Sequence, residues 1–397
     1  MIARRNPAVL LGVDRLLGLQ LARILWRHGV PVVGVAVDAD SHYVRTRAAR
    51  RILPFARFEQ DPAGALADLA REYGARPVLI PCLDELVWWL DAHREDLAAH
   101  ADFLLADSAT LALLGDKARF YRAAADYDLK LPATRFARTP EDLEQAGREL
   151  GFPLMIKPPR RSPAWMRATN GSKVLRVDDA EALRRVAPPL LGLVDELILQ
   201  RWVAGGDDAM VSLFVCLDRN GEPLVESLVA QKLRQWPPDI GVGCLAVERR
   251  DDALVQAGER LLRRLGYVGP GSLQLKREAG TGALYVIEMN VRSALCFPLF
   301  EACGVETTLT HYCAAAGLPL PAARRIRFPG RKWICWKRDL ASAWTRWRRG
   351  ELTLRAWRDS LRGPKRAADL ALDDPSPQLV DLGRKLLRPL RRPTKRA

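Results

Sequence analysis

The stretch "YVIEMNVRS", residues 285–293, carries Glu288, Asn290 and Arg292 at every second position of an otherwise apolar run. Side chains alternate along a strand with period two, so these three share one face while Ile287, Met289 and Val291 take the other. Buried without partners, such a row would be strongly unfavourable, so it belongs beside a ligand, a metal or a polar cleft. Just upstream, "SLQLKREAGTG" supplies a partner strand and a Gly280/Gly282 turn. The two strands form a hairpin that carries Gln274 and Glu288.

The rest of the chain sets this hairpin in a mixed α/β context. "NPAVLLGVDRLLGLQLARILWRHGVPVVGVAVDAD" holds an apolar run, an amphipathic helix pattern from Leu16 to Arg27, a stop at Gly29 and a second apolar run ending at Asp38. That is a βαβ opening. "PVLIPCLD" and "ELVWWLDAHREDLAAH" add a strand and a helix, so residues 1–105 read as a small α/β domain. From Leu111 onward, amphipathic helices alternate with strands and Gly-rich or Asn-Gly turns, and one strand ends in Lys157.

Several residues in this middle region bear chemistry. Lys117 and Lys157 stand alone at element boundaries, "TNGSK" at 169–173 is a small-residue turn, and Asp207 and Asp208 follow a glycine pair. Lysines beside a glycine turn suit a polyphosphate. Oxygen donors from a carboxylate and amides suit Mg²⁺, which takes few protein ligands and shares substrate phosphates. Together they read as a Mg-ATP site. No G-x-x-x-x-G-K-[ST] sequence is present, so the phosphates are not held by a P-loop.

The order of these elements over residues 8–320 resembles the ATP-grasp superfamily of carboxylate–amine ligases. The resemblance implies α/β and α+β architecture: a Rossmann-like pre-ATP-grasp domain over 1–105, a two-lobed ATP-grasp domain over 106–322, and a basic, Trp-rich helical tail over 323–397. It further implies that Lys117 in "GDKARF" and Lys157 in "LMIKPP" contact ATP, with Ser172 and Lys173 in the phosphate turn. Gln200, Arg201 and Val203 in "LQRWVAG" would meet adenine, and Asp208 the ribose. Most members have Glu where this chain has Arg201. Gln274, Glu288 and Asn290 would hold Mg²⁺ or Mn²⁺, with Gln274 in a "GPGSLQ" setting similar to the carbamoyl-phosphate synthetase branch. "QKLRQWPPDIGVG" and the tail segments "RRGELTLRAWRDSLRG" and "DDPSP" resemble a bacterial group that includes D-aspartate ligase-like proteins.

The implied reaction is carboxylate activation by ATP through an acyl phosphate, followed by attack of an amine. Arg292 would act on the transferring phosphoryl group, and Lys232 and Arg234 on the substrates. Small-molecule carboxylates and amines are then the partners. Three other readings compete: a nucleotide-binding scaffold without catalysis, a nucleic-acid binder resting on the basic tail, and a nicotinamide oxidoreductase built on the first βαβ unit. For the oxidoreductase, Asp38 sits near the ribose-acid position, but Gly12 and Gly18 lack the G-x-G-x-x-G spacing.

Composition decides only the remaining points. At 48% hydrophobic and 27% charged residues the chain is globular in type. It has no 18-residue apolar run, and seven cysteines without a C-x-x-C pair suit reduced thiols, so a cytoplasmic setting is expected. The net charge of +15 belongs to the tail: residues 323–397 hold 22 Lys or Arg against 7 Asp or Glu, and residues 1–322 hold 40 of each. Five of the eleven tryptophans lie there too, and "LGRKLLRPLRRPTKRA" interleaves leucines with basic residues. Such a mixture suits contact with the anionic inner face of a membrane and calls for no specific nucleic-acid partner.

Overall fold

The computed structural model describes residues 6–387, except 128, 161 and 329. Its first sheet is parallel, in the order β3-β2-β1-β4, from strands β1 (Ala8–Leu11), β2 (Val32–Ala36), β3 (Arg51–Pro54) and β4 (Val78–Pro81). β1 and β2 are buried along their whole length, which is why they read as unbroken apolar runs rather than alternating ones.

The second sheet, β5-β8-β6-β7, is antiparallel and is built from β5 (Thr134–Ala137), β6 (Leu154–Lys157), β7 (Leu175–Val177) and β8 (Leu197–Arg201). Helices Pro140–Leu150 and Ala180–Val186 cover one of its faces through Leu143, Ala146 and Leu183. Thr139 and Asp142 cap the first of these helices reciprocally. The other face is left for the cleft.

The third sheet has seven strands in the order β13-β12-β9-β10-β11-β14-β15. They are β9 (Met210–Leu217), β10 (Leu228–Trp236), β11 (Val242–Arg249), β12 (Gly269–Arg277), β13 (Leu284–Asn290), β14 (Lys332–Ile334) and β15 (Lys365–Ala367). One apolar cluster runs from Val9 and Leu11 of the first sheet to Leu213, Leu273 and Met289 of this one. The first 105 residues therefore share a core with the rest.

The C-terminal region, read from sequence as a basic helical tail, also supplies two strands. β14 pairs with β11, and β15 with β14, so both extend the central sheet. Trp333 is fully buried and donates from Nε1 to Gln20 Oε1 at 2.8 Å. Asp374, also fully buried, accepts from Arg23 Nε at 2.8 Å and from the Arg47 amide at 3.0 Å. The tail thus clamps the N-terminal helix Leu16–Arg27 to the sheet. Among the described residues, no helix is long and apolar enough to cross a membrane. The Leu-Arg sequence from 388 onward lies outside the described residues.

Candidate active site

The open faces of the second and third sheets look at each other across a cleft. Among the described residues, seven Lys or Arg line it (Lys117, Lys157, Lys173, Arg201, Lys232, Lys276, Arg292) against the two acids Asp239 and Glu288. A low-dielectric cleft lined mainly by one sign of charge concentrates the opposite sign, here a polyanion.

Lys157 is the last residue of β6 and points inward from the sheet. Its ammonium donates to Gln200 Oε1 at 2.5 Å and to the Tyr121 hydroxyl at 3.4 Å, and Gln200 in turn donates to Thr134 Oγ1 at 2.9 Å. Burial lowers the Lys157 pKa to about 7; Glu288 opposes the shift, and Lys117 and Lys276 add to it. Lys276 is lowered to about 8, again chiefly by burial, and Lys232 is lowered for the same reason. Three neighbouring ammonium groups held in an environment that disfavours their charge are poised for an anion.

On the opposite wall, Gln274 and Glu288 are cross-strand partners on β12 and β13, as are Ser272 and Asn290. Glu288, Asn290 and Arg292 all line the cleft, and Met289 and Val291 are buried behind them. Ile287 departs from the expected alternation: the register shifts between Gln274 and Leu275, and the extra residue, Ile287, faces the cleft too. Its carbonyl accepts from the Tyr121 hydroxyl, so the bulge is pinned to helix Lys117–Arg122.

The donors fit a hard divalent cation in character. Among the described residues no group of three His, Cys, Asp or Glu could hold a metal alone. One carboxylate with two amides suits Mg²⁺ when phosphate oxygens complete the shell. Asn290 Nδ2 is buried without a hydrogen-bond partner, a cost of about 1–3 kcal/mol that a ligand in the cleft would relieve.

Arg292 reaches back to the first domain, with Nε 2.7 Å from Asp84 Oδ1. Asp84 opens helix Asp84–Ala92, so the N-terminal domain orients a cleft cation, which sequence reasoning did not anticipate. Lys276 was also missed, although it lies two residues beyond Gln274 on the same face of β12. Its ammonium sits 4.1 Å from the centre of the Trp202 ring, beside Arg201 and Val203, which line the same wall. Arg201 itself pairs with Glu278 at 2.6 Å.

Arg234 is corrected. A bulge between Lys232 and Arg234 turns the two apart. Lys232 faces the cleft and donates to Gln235 Oε1 at 2.9 Å. Arg234 is buried on the far side, where its Nε donates to Asp339 Oδ1 at 2.8 Å and its Nη1 to the Ser360 hydroxyl at 2.6 Å. A guanidinium so engaged is not a substrate clamp. Of the adjacent acids, Asp207 is buried and bonded to the Gln235 amide, the Gln235 side chain and Arg346, whereas Asp208 is exposed beside the cleft residue Gly206. Ser172 anchors its turn through its carbonyl, which accepts from Trp165 Nε1 and Thr169 Oγ1; Lys173 lines the cleft.

The first βαβ unit does not offer a pyrophosphate cradle. A Cβ on Gly18 would stand 2.4 Å from the Gly12 carbonyl, so this glycine serves helix–strand packing. The buried Asp14 carboxylate occupies the turn, accepting from the Val37 and Asp38 amides, and would repel a phosphate.

No family model matches the chain, and no curated protein matches it in sequence. Solved structures do match in fold. An N5-carboxyaminoimidazole synthetase from Staphylococcus aureus, complexed with ADP, aligns with TM-score 0.62 at 16% identity over 82% of this chain and 81% of its own. Biotin carboxylase from Campylobacter jejuni, as a β,γ-ATP complex, aligns with TM-score 0.62 at 14% identity over 81% and 74%. An L-amino acid ligase from Bacillus licheniformis aligns with TM-score 0.58 at 16% identity over 79% and 74%. Two sheets facing each other across a cation-lined cleft, behind a parallel N-terminal sheet, are the arrangement implied by the sequence resemblance, and the chain has the ATP-grasp fold.

Proposed function

We propose that this protein is an ATP-dependent carboxylate–amine ligase that turns Mg-ATP into ADP and phosphate while forming an amide. The observation that carries the reading is the convergence in one cleft of seven cationic side chains with Glu288, Asn290 and Gln274. The fold match to structures complexed with ADP and with a β,γ-ATP species supports it.

Lys117 and Lys157 hold the phosphates from one side, with Lys173 and the Ser172 turn closing over them. Gln200, Arg201, Val203 and the Trp202 ring, with Lys276 against it, border the base, and Asp208 stands toward the ribose. Glu288, Asn290 and Gln274 would hold Mg²⁺, which when bound neutralises phosphate charge and aligns the transferring group. Arg292, oriented by Asp84, faces the transferring phosphoryl, and Lys232, oriented by Gln235, faces the acid. No protein nucleophile is needed. Positioning and charge stabilisation carry the rate.

The test is a screen of amino acids and dicarboxylates, paired with amines, for stimulated ADP release from Mg-ATP. Stimulation by an acid–amine pair, absent in Glu288→Gln, is expected. Mg-ATP binding without ADP release in the presence of any pair would favour the non-catalytic scaffold.

A further inference from the structure

Helix Trp336–Arg348 has two faces with separate tasks. Asp339, Ser342 and Arg346, spaced by three and four residues, turn inward. Asp339 holds Arg234, Ser342 donates to the Gln235 carbonyl at 2.8 Å, and Arg346 reaches Asp207 at 2.7 Å. The opposite face carries Lys337, Leu340, Trp344, Trp347 and Arg348. Trp344 and Trp347 are 59% and 54% exposed, and their rings pair at 4.9 Å between centroids.

Among the described residues, eight of the eleven exposed large apolar side chains fall between Leu340 and Leu382, so this exposure is concentrated rather than scattered. Leu354 lies on the following helix, Leu354–Ser360, with exposed Arg355 and Arg358 beside it, and Leu379 and Leu382 lie on helix Ser376–Leu387. Lys337 pairs with Asp381 at 3.3 Å, which brings that last helix alongside the first.

We propose that this face is a docking surface for an anionic lipid bilayer. Tryptophan combines an apolar ring with a polar N–H and suits the boundary between headgroups and acyl chains. The exposed Arg348, Arg355 and Arg358 match anionic headgroups. Apolar residues spread over three helices fit a deformable planar partner better than a folded one. Because the inner face of the same helix reaches Asp207 and the Gln235 carbonyl, docking would set the cleft close to the lipid surface. The binding claim does not depend on the ligase reading.

The experiment is sedimentation of the full chain with vesicles of phosphatidylcholine alone and of phosphatidylcholine with phosphatidylglycerol, set beside Trp344→Ser/Trp347→Ser. Both side chains are exposed, and the fold of the variant is verified by its circular dichroism melt. Wild-type protein is expected to sediment with the anionic vesicles only and to be released by salt, and the variant to partition roughly tenfold more weakly. Absence of wild-type binding would overturn the proposal. So would undiminished binding by the variant, which would leave the charge acting without this face. A wild-type dimer dissociated by the double substitution, without vesicle binding, would assign the face to a second copy of the chain.

Discussion

Lys117 Nζ stands 3.2 Å from Glu288 Oε2, an ion pair that ties the start of helix Lys117–Arg122 to strand β13 across the cleft. The cation proposed to hold phosphate and the carboxylate proposed to hold the metal are thereby kept within hydrogen-bonding distance of each other. Lys117→Met removes the cation, and the Kd for Mg-ATP, measured by calorimetry, should rise about tenfold to a hundredfold.

Glu288→Gln keeps the volume of the side chain and removes the principal charge of the proposed metal set. Acid-dependent ADP release should fall by about two orders of magnitude or more, with an unchanged thermal melt. Undiminished turnover by a folded variant would remove Glu288 from the site.

Lys157, proposed to hold phosphate, should make nucleotide affinity depend on pH. Its folded pKa is lowered by burial from 10.5 to about 7, so the ammonium that a phosphate needs is lost as pH rises through 7. Mg-ATP binding should weaken from pH 6.5 to pH 8.5, and Lys157→Met should bind weakly with a flatter profile. The linkage to stability has the opposite sense. Between about 7 and 10.5 the unfolded chain binds the extra proton, so the cost of burying this group is full below 7 and fades as pH approaches 10.5. Lys157→Met should therefore raise the melting temperature of the ligand-free protein more at pH 6 than at pH 9.

Arg234 and Asp339 act on stability. Their side chains are 5% and 0% exposed, so Arg234→Ala leaves a buried carboxylate uncompensated and should cost about 3–5 kcal/mol in denaturant titration. Arg234→Leu combined with Asp339→Leu should recover most of that loss. The Kd for Mg-ATP should be unchanged in the double variant, whereas a substrate clamp at Arg234 would not tolerate its loss in turnover.

Arg346 should act on the cleft from behind. It pairs with Asp207, whose carboxylate also accepts from the Gln235 and Asp239 amides, and Gln235 orients Lys232. Arg346→Ala should destabilise the fold by about 1–3 kcal/mol and raise the KM of the acid more than that of ATP. Arg346→Lys should restore part of both. A change in stability alone would confine Arg346 to a structural role.

The hairpin chemistry was legible because it follows from strand periodicity alone: from Glu288 to Arg292 every second residue does reach the cleft. The same rule misplaced Ile287, since a bulge adds one residue and inverts the face, and a bulge leaves no period to read. Arg234, a substrate residue by the implied chemistry, lies beyond a second bulge that turns it from the cleft. Lys276 had a signal, its two-residue offset from Gln274, but nothing in sequence shows that Trp202, just past the end of β8, will lie against it. That Asp207 rather than Asp208 is buried depends on a guanidinium 139 residues away, which no local pattern shows. Three-residue strands such as Lys332–Ile334 are too short for periodicity, so the tail's place in the sheet emerges only from tertiary pairing.

The central claim, phosphoryl transfer from ATP to a carboxylate in this cleft, is tested most directly by isotope transfer. An acid identified by the ADP-release screen is labelled with ¹⁸O in its carboxylate and incubated with Mg-ATP and the amine. Displacement of an acyl phosphate by the amine carries one labelled oxygen away with the phosphoryl group, so ¹⁸O should appear in the released phosphate alongside ADP. Label found in AMP, or amide formed while the phosphate stays unlabelled, would contradict the account.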